Sequence, residues 1–282
     1  MSLLEAILLG IIQGLTEFLP ISSTAHIKVV PALLGREDPG AAFTAVIQVG
    51  TLAAALAYFR ADIVRLTRAW AAGLTTGRPF GTPDAKMAWM IALGTVPIVI
   101  CGVAFKEHIV GPLRSLYVIA AAAIVLSLLL MVAEWLVLWR QRRQRKLREM
   151  PELGWGDALV VGLAQAVALI PGASRSGVTI TGGLFTGMSR HTAAQFSFLL
   201  SLPAVFAAAV YELYKERHEL LATQESAVNL VVATVVSGVV GYATIAFLLR
   251  YLKTHTTWLF IAYRLALGGL ILALLFFGRL QP

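Results

Sequence analysis

Apolar residues run along this chain in long blocks, and polar residues gather in short phrases between or inside them. Six blocks, about 41–60, 85–106, 116–139, 190–213, 227–251 and 257–279, are long and apolar enough to predict membrane-spanning helices. Two further apolar segments are broken. The first runs from about Leu3 to Leu34 and is interrupted at Pro20; the second runs from about Trp155 to Gly187 and is interrupted at Pro171-Gly172. The halves of the first have about 17 and 13 residues, roughly 26 and 20 Å of helix. Proline lacks a backbone donor and disfavours helix in the residue before it, so each segment predicts a helical hairpin that enters and leaves the membrane on one side. Broken backbone is tolerated at that depth only when it is buried in protein or lines a wet cavity.

Composition agrees with the pattern. Of 282 residues, 58% are hydrophobic and 13% charged, and the mean hydropathy is +0.79. The prediction is an all-α polytopic membrane protein, one domain over 1–282, with six transmembrane helices and two re-entrant hairpins. The net charge of +8 does not point to nucleic acid, because the basic residues sit in loops between apolar blocks, as orientation signals do. With the run Arg140, Arg142, Arg143, Arg145, Lys146, Arg148 taken as cytoplasmic, 14 of the 23 Lys and Arg fall on that side and six on the other. Both termini then face outward. The start, Met1-Ser2-Leu3-Leu4-Glu5, has no basic region or small-residue cleavage site and is expected to be mature structure, not a signal peptide. The single cysteine, Cys101, excludes an intramolecular disulfide and a cysteine-based metal cluster.

The chain also repeats. Gly10 to Gln13 matches Gly162 to Gln165, and Ala42 to Gly50 loosely matches Gln195 to Pro203. Repeat 1 covers about 1–139, a basic cytoplasmic loop 140–153, and repeat 2 about 154–282. Each copy is a hairpin followed by three spans. An odd number of spans makes the copies inverted in the membrane and predicts a substrate site near the midplane, where the broken elements meet.

Both breaks carry residues that are costly in lipid, which makes them a functional-site hypothesis. The first reads Gln13-Gly-Leu-Thr-Glu17-Phe-Leu-Pro20-Ile-Ser22-Ser23-Thr24-Ala-His26, and the second Pro171-Gly172-Ala-Ser174-Arg175-Ser176-Gly177-Val-Thr179. Ser22, Ser23 or Thr24 can cap one helix and Ser174 another, so two helix N-termini point inward and offer N–H groups to an anion. Arg175 adds a bidentate positive charge. Gln13 and Glu17 share a helix face, and a carboxylate beside a phosphate site serves as a divalent-metal ligand or a proton acceptor. Ser23 and His26 also share a face, as an activated nucleophile or an acid–base pair would. Singly, each has a bland reading: membrane serines bond their own backbone, a lone histidine packs, Glu17 pairs with Arg175 or Arg264, and Lys28 snorkels. Arg264 either completes the site or pairs with a neighbouring polar group. Co-occurrence lifts the set above those readings.

At these residues the chain closely resembles the undecaprenyl-diphosphate phosphatase family, the bacitracin-resistance phosphatases. The family motif Glu/Gln-x-x-x-Glu followed by Pro-x-Ser-Ser-Thr-x-His is matched by Gln13, Glu17, Pro20, Ser22, Ser23, Thr24 and His26. The second motif, Pro-Gly-x-Ser-Arg-Ser-x-x-Thr, is matched by Pro171, Gly172, Ser174, Arg175, Ser176 and Thr179. Ala25 stands where many members have Gly, Lys28 where an apolar residue is common, and Gln13 cannot supply a second carboxylate. The resemblance implies hydrolysis of undecaprenyl diphosphate to the monophosphate and phosphate, recycling the cell-wall lipid carrier. It also implies a multi-pass protein of the bacterial inner membrane, a site open to the extracytoplasmic side, and a requirement for Mg²⁺ or Ca²⁺. The expected roles are catalysis by Glu17, Ser23, His26 and Arg175, and substrate binding by Gln13, Ser22, Thr24, Ser174, Ser176 and Thr179. Glu17 positions the metal or takes a proton, and Ser23 is the candidate nucleophile with His26 as its base or the general acid, the alternative being direct attack by water with Ser23 only as a ligand. The expected partners are the polyprenyl diphosphate and membrane lipid, with a homodimer left open. The rival is an inverted-repeat carrier or flippase for a phosphate-bearing solute or lipid, which has no need of Ser23 and His26 beside Glu17. The unrelated membrane acid-phosphatase type is rejected, because its histidine position is Thr181 or Phe196 here.

Overall fold

In the computed structural model, which describes residues 1–36, 40–110, 112–220 and 224–280, the chain is built of helices. They are α1 (Leu3–Phe18), α2 (Ser23–Leu33), α3 (Gly40–Tyr58), α4 (Arg60–Thr75), α5 (Pro83–Ala104), the short α6 (Lys106–Val110), α7 (Leu116–Arg142), α8 (Trp155–Val167), α9 (Arg175–Phe185), α10 (Arg190–Leu220), α11 (Gln224–Tyr251) and α12 (Trp258–Phe276). Five stretches among the described residues are long and apolar enough to cross a membrane: Pro83–Ala104, Leu116–Arg142, Arg190–Glu212, Ala227–Tyr251 and Trp258–Phe276. A sixth exists if Phe43–Tyr58 and Arg60–Thr75 count as one span bent by 71°. The protein is an all-α polytopic membrane protein.

That bend is a departure from the expected loop over 60–86. Arg60, Arg65 and Arg68 are exposed along α4. Leu66 lies in the main apolar core, and Ile63 packs against it. Arg65 bonds Asp62 at 2.8 Å and also pairs with Asp84 at the start of α5. An amphipathic helix of this kind folds back along its neighbour, α5, because its charged residues cannot continue through lipid.

The two expected breaks fall where proline placed them. Leu19 precedes Pro20 in an extended conformation and ends α1. α8 ends at Val167, and Gly172 turns the second break at φ +89°, a conformation that favours glycine. A side chain there would also strike the backbone of Ile119 in α7. α1 packs on α2, and α8 on α9, so each broken segment is a pair of short apposed helices.

The far end of α9 is held by the basic edge. Arg140 donates to the carbonyls of Leu184 and Phe185, both at 2.9 Å, satisfying the negative end of the helix. Arg148 grips Asp157 and the Thr186 carbonyl. Glu134, fully buried in α7, accepts from Arg190 of α10 at 2.8 Å and from the Thr257 hydroxyl at 2.7 Å. Several residues that read as orientation signals therefore also fix the helix whose N-terminus enters the site.

Close contacts between the short helices and the spans rest on glycine. A Cβ on Gly162 of α8 would lie 2.4 Å from the carbonyl oxygen of Gly94 in α5, and one on Gly10 of α1 would lie 2.5 Å from that of Ala233 in α11. Backbone on both sides leaves nothing flexible to yield. Gly162→Ala is expected to cost about 1–3 kcal/mol and to lower the thermal midpoint in detergent. Gly156→Ala, at an exposed position with open space around it, should leave that midpoint unchanged.

Candidate functional site

The helices that follow the two breaks start in the same unusual way. Ser22 caps α2 at φ 74°, ψ 98°, and Ser174 caps α9 at φ 63°, ψ 104°. Each hydroxyl accepts from the backbone N–H three residues on, Ala25 in one helix and Gly177 in the other. Only three non-glycine residues with positive φ occur among the described residues, and these are two of them. Such conformations cost of order 1–3 kcal/mol and persist where the surroundings enforce them, as functional sites do.

The shared geometry gives Ser23 and Arg175 the same place, the first residue of each helix, and both reach one carboxylate. Ser23 donates to Glu17 Oε2 at 2.9 Å, and Arg175 Nη2 donates to Glu17 Oε1 at 2.7 Å. Gln13 adds a bond to Oε2 at 3.1 Å, and Gln48 of α3 one to Oε1 at 3.5 Å. Glu17 is buried, so four donors replace the water that its charge would otherwise need. Ser176 ties the two breaks together by donating to the Leu19 carbonyl at 3.1 Å.

A cavity of about 210 Å³ opens onto this junction. Glu17, Ser22, Ser23, Thr24, Gln48, Ser174 and Arg175 form its polar wall. Ile98 of α5, Ile170, and Ala204, Val205 and Ala208 of α10 form an apolar wall opposite. N-terminal N–H groups of two helices, a guanidinium and hydroxyls suit an anionic group. The apolar wall suits whatever carries it. Charge stabilisation comes from groups already fixed in place, the condition for transition-state stabilisation in phosphoryl transfer.

Other expected residues sit elsewhere. Gln13 stands behind Glu17 and does not line the cavity. Thr179 bonds the Arg175 carbonyl at 2.7 Å and the Ser197 hydroxyl, and Ser176 bonds Leu19, so the bonds of both are internal. The expected Ser23–His26 pair is not formed. His26 Nδ1 lies 2.7 Å from the Ser22 carbonyl oxygen and Nε2 lies 2.7 Å from the Tyr263 hydroxyl. A carbonyl only accepts, so Nδ1 donates, and in the neutral ring Nε2 accepts from Tyr263. The partner of Ser23 is Glu17. Spacing placed Ser23 and His26 on one face but gave no weight to the capping carbonyl or to α12.

Helix α12 touches both breaks through adjacent residues. Tyr263 holds His26, and Arg264, fully buried, donates from Nη2 to the Ala173 carbonyl at 3.0 Å. Arg264 thus supports the second break from behind and is absent from the cavity wall. Gln48 and Tyr263 are site residues that motif reading did not select. Their signal was faint: one amide in the apolar block of α3, and a tyrosine beside an intramembrane arginine.

A family model described as "Bacitracin resistance protein BacA" matches residues 6–270. The chain is 60% identical over 281 residues to the undecaprenyl-diphosphatase of Chloroherpeton thalassium (strain ATCC 35110 / GB-78), covering 100% of this chain and 99% of that one. It is also 60% identical over 281 residues to the undecaprenyl-diphosphatases of Chlorobium phaeobacteroides (strain BS1) and Prosthecochloris aestuarii (strain DSM 271 / SK 413), with full coverage of each chain.

Proposed function

The chain belongs to the bacitracin resistance protein BacA family, and we propose that it hydrolyses undecaprenyl diphosphate through Ser23, Glu17 and Arg175. It is an undecaprenyl-diphosphatase: a membrane hydrolase that converts its lipid substrate to undecaprenyl phosphate and inorganic phosphate. The observation that carries the mechanism is the meeting of Ser23 and Arg175 on the two oxygens of Glu17.

Ser23 Oγ attacks the terminal phosphorus while its proton passes to Glu17 Oε2. The bond from phosphorus to the bridging oxygen breaks, and undecaprenyl phosphate leaves as an anion that needs no proton. This removes the need for His26 as a general acid; its bond to the Ser22 carbonyl makes it a positioning residue for the first break. Water then attacks the phosphoserine. Glu17 returns its proton to the departing Ser23 oxygen, and the water leaves with both its protons as dihydrogen phosphate. Arg175, Thr24 and the N-termini of α2 and α9 bind the diphosphate and stabilise the charge on the transferred group.

Mg²⁺ or Ca²⁺ belongs to the proposal as a complex with the substrate. Among the described residues no group of three His, Cys, Asp or Glu gathers to cage a metal. Glu17 is the one carboxylate on the cavity wall, and one carboxylate with substrate phosphates is an ordinary mode for such ions. The ion would neutralise charge on the phosphates. Phosphate release from detergent-solubilised undecaprenyl diphosphate, with and without EDTA, tests the reading. Release should fall at least about tenfold with EDTA and return with added Mg²⁺ or Ca²⁺. Accumulation in vesicles without release would favour the carrier instead.

The packing supports the inverted repeat of about 1–139 and 154–282. α1 lies on α11 as α8 lies on α5, α3 lies on α11 as α10 lies on α5, and α3 pairs with α10 and α7 with α12. The matched caps at Ser22 and Ser174 and the matched contacts of Gly10 and Gly162 support it too. In this reading the hairpins are re-entrant, the basic edge is cytoplasmic, and the cavity opens to the extracytoplasmic side of the bacterial inner membrane.

A further inference from the structure

The headgroup cavity is too small for a polyprenyl tail, and its apolar wall leads somewhere. A second cavity of about 700 Å³ lies along the same two helices, α5 and α10. Its lining is almost wholly apolar and includes Ile63 and Trp70 of α4, Trp89 and Ala92 of α5, and Leu202 and Phe206 of α10. The linings of the two cavities are neighbours along both helices. On α5, Thr95 lines the groove and Ile98, one turn on, lines the headgroup cavity. On α10, Leu202 and Phe206 line the groove, and Val205, on the same helix turn, lines the headgroup cavity. The Thr95 hydroxyl at this junction is spent on the carbonyls of Ile91 and Leu200, so it presents no unmet polar group to a passing chain.

We propose that this groove between α4, α5 and α10 binds the first isoprene units of the substrate's polyprenyl tail. The inference rests on the phosphatase reading, which supplies an amphiphile with its diphosphate at Glu17 and Arg175. From Ile98 back to Ala88, both lining residues, α5 offers roughly 15 Å of wall. Apolar burial along that wall is the binding energy that a short-chain diphosphate cannot collect. The bent helix α4 closes the groove on its far side with Ile63 and Trp70, which gives a function to the departure from a straight span. Phe206 is 54% exposed and Ala92 is exposed too, as expected of groove walls awaiting a ligand and not of core positions.

The test compares undecaprenyl diphosphate with dimethylallyl diphosphate, whose single isoprene unit cannot span the groove, in one detergent, using the wild-type chain, Ala92→Trp, which fills the groove, and Phe206→Ala, which strips its wall. The ratio of kcat/KM for the long substrate over the short one should fall about tenfold in Ala92→Trp and about threefold in Phe206→Ala, mostly through KM. The short substrate reports folding within the same preparation. An unchanged ratio in both variants, or an equal loss on both substrates, would overturn the groove as the tail site. No phosphate release from either substrate by the wild-type chain would instead overturn the phosphatase reading on which it rests.

Discussion

Replacing Ser23 with alanine is expected to lower kcat about 10³-fold while leaving the protein folded. The side chain is small, half-buried, and the first residue of α2, so its loss opens no cavity in the core. What disappears is the hydroxyl that sits 2.9 Å from Glu17 Oε2 at the cavity wall. A substrate carrying a radiolabelled terminal phosphate should label the wild-type chain in a rapid acid quench and fail to label Ser23→Ala. Glu17→Gln should lose turnover to a similar degree, because its amide cannot take the serine proton. Near-normal turnover in Ser23→Ala would instead assign the attack to water, with Ser23 as a ligand. His26→Asn separates positioning from chemistry: its amide N–H stands where the ring Nδ1 stands, keeps the bond to the Ser22 carbonyl, and should retain much more activity than Ser23→Ala.

The contrast between Ser23 and His26 shows what the sequence could and could not carry. Breaks at Pro20 and Pro171, caps at Ser22 and Ser174, and the convergence of Glu17 with Arg175 were legible, since they follow from local stereochemistry and from the cost of charge in lipid. The partners of His26 were not, because Tyr263 lies 237 residues away and periodicity says nothing about which helix faces which. The hydrogen-bond partners of Ser176 and Thr179 were not legible for a similar reason. A hydroxyl in a motif looks like a ligand contact until the nearby Leu19 carbonyl and Ser197 hydroxyl are placed beside it. Helix α4 was not legible because the stretch between the apolar blocks 41–60 and 85–106 is too charged to span, while its helical spacing still leaves Leu66 in the core.

The second large effect concerns Arg175, which has two tasks that must be told apart. Its Nη2 neutralises Glu17, whereas its Nη1 has no protein partner although it is buried. In the proposed mechanism, a guanidinium with one arm occupied and one arm unmet, on the wall of an anion-sized cavity, takes a phosphate oxygen. Arg175→Ala is expected to lower kcat/KM about 10³-fold, the equivalent of roughly 4 kcal/mol of transition-state stabilisation. Arg175→Lys should recover only a small part, because a single ammonium cannot bond Glu17 and phosphate in the same fork geometry. Stability alone would not separate the tasks, since either variant weakens the pair with a buried carboxylate. Inhibition by inorganic phosphate does separate them. If Arg175 grips the phosphate, Arg175→Ala should weaken phosphate inhibition by at least about tenfold, while Glu17→Gln, which keeps the guanidinium and removes the competing anion, should strengthen it. If Arg175 served only to neutralise Glu17, the double variant Glu17→Gln/Arg175→Ala would be inhibited by phosphate as strongly as Glu17→Gln alone, whereas a direct grip makes the double variant at least about tenfold weaker. Comparison of the double variant with Glu17→Gln therefore distinguishes a ligand-binding arginine from a structural ion pair, even though the two residues touch, because the carboxylate is absent from both.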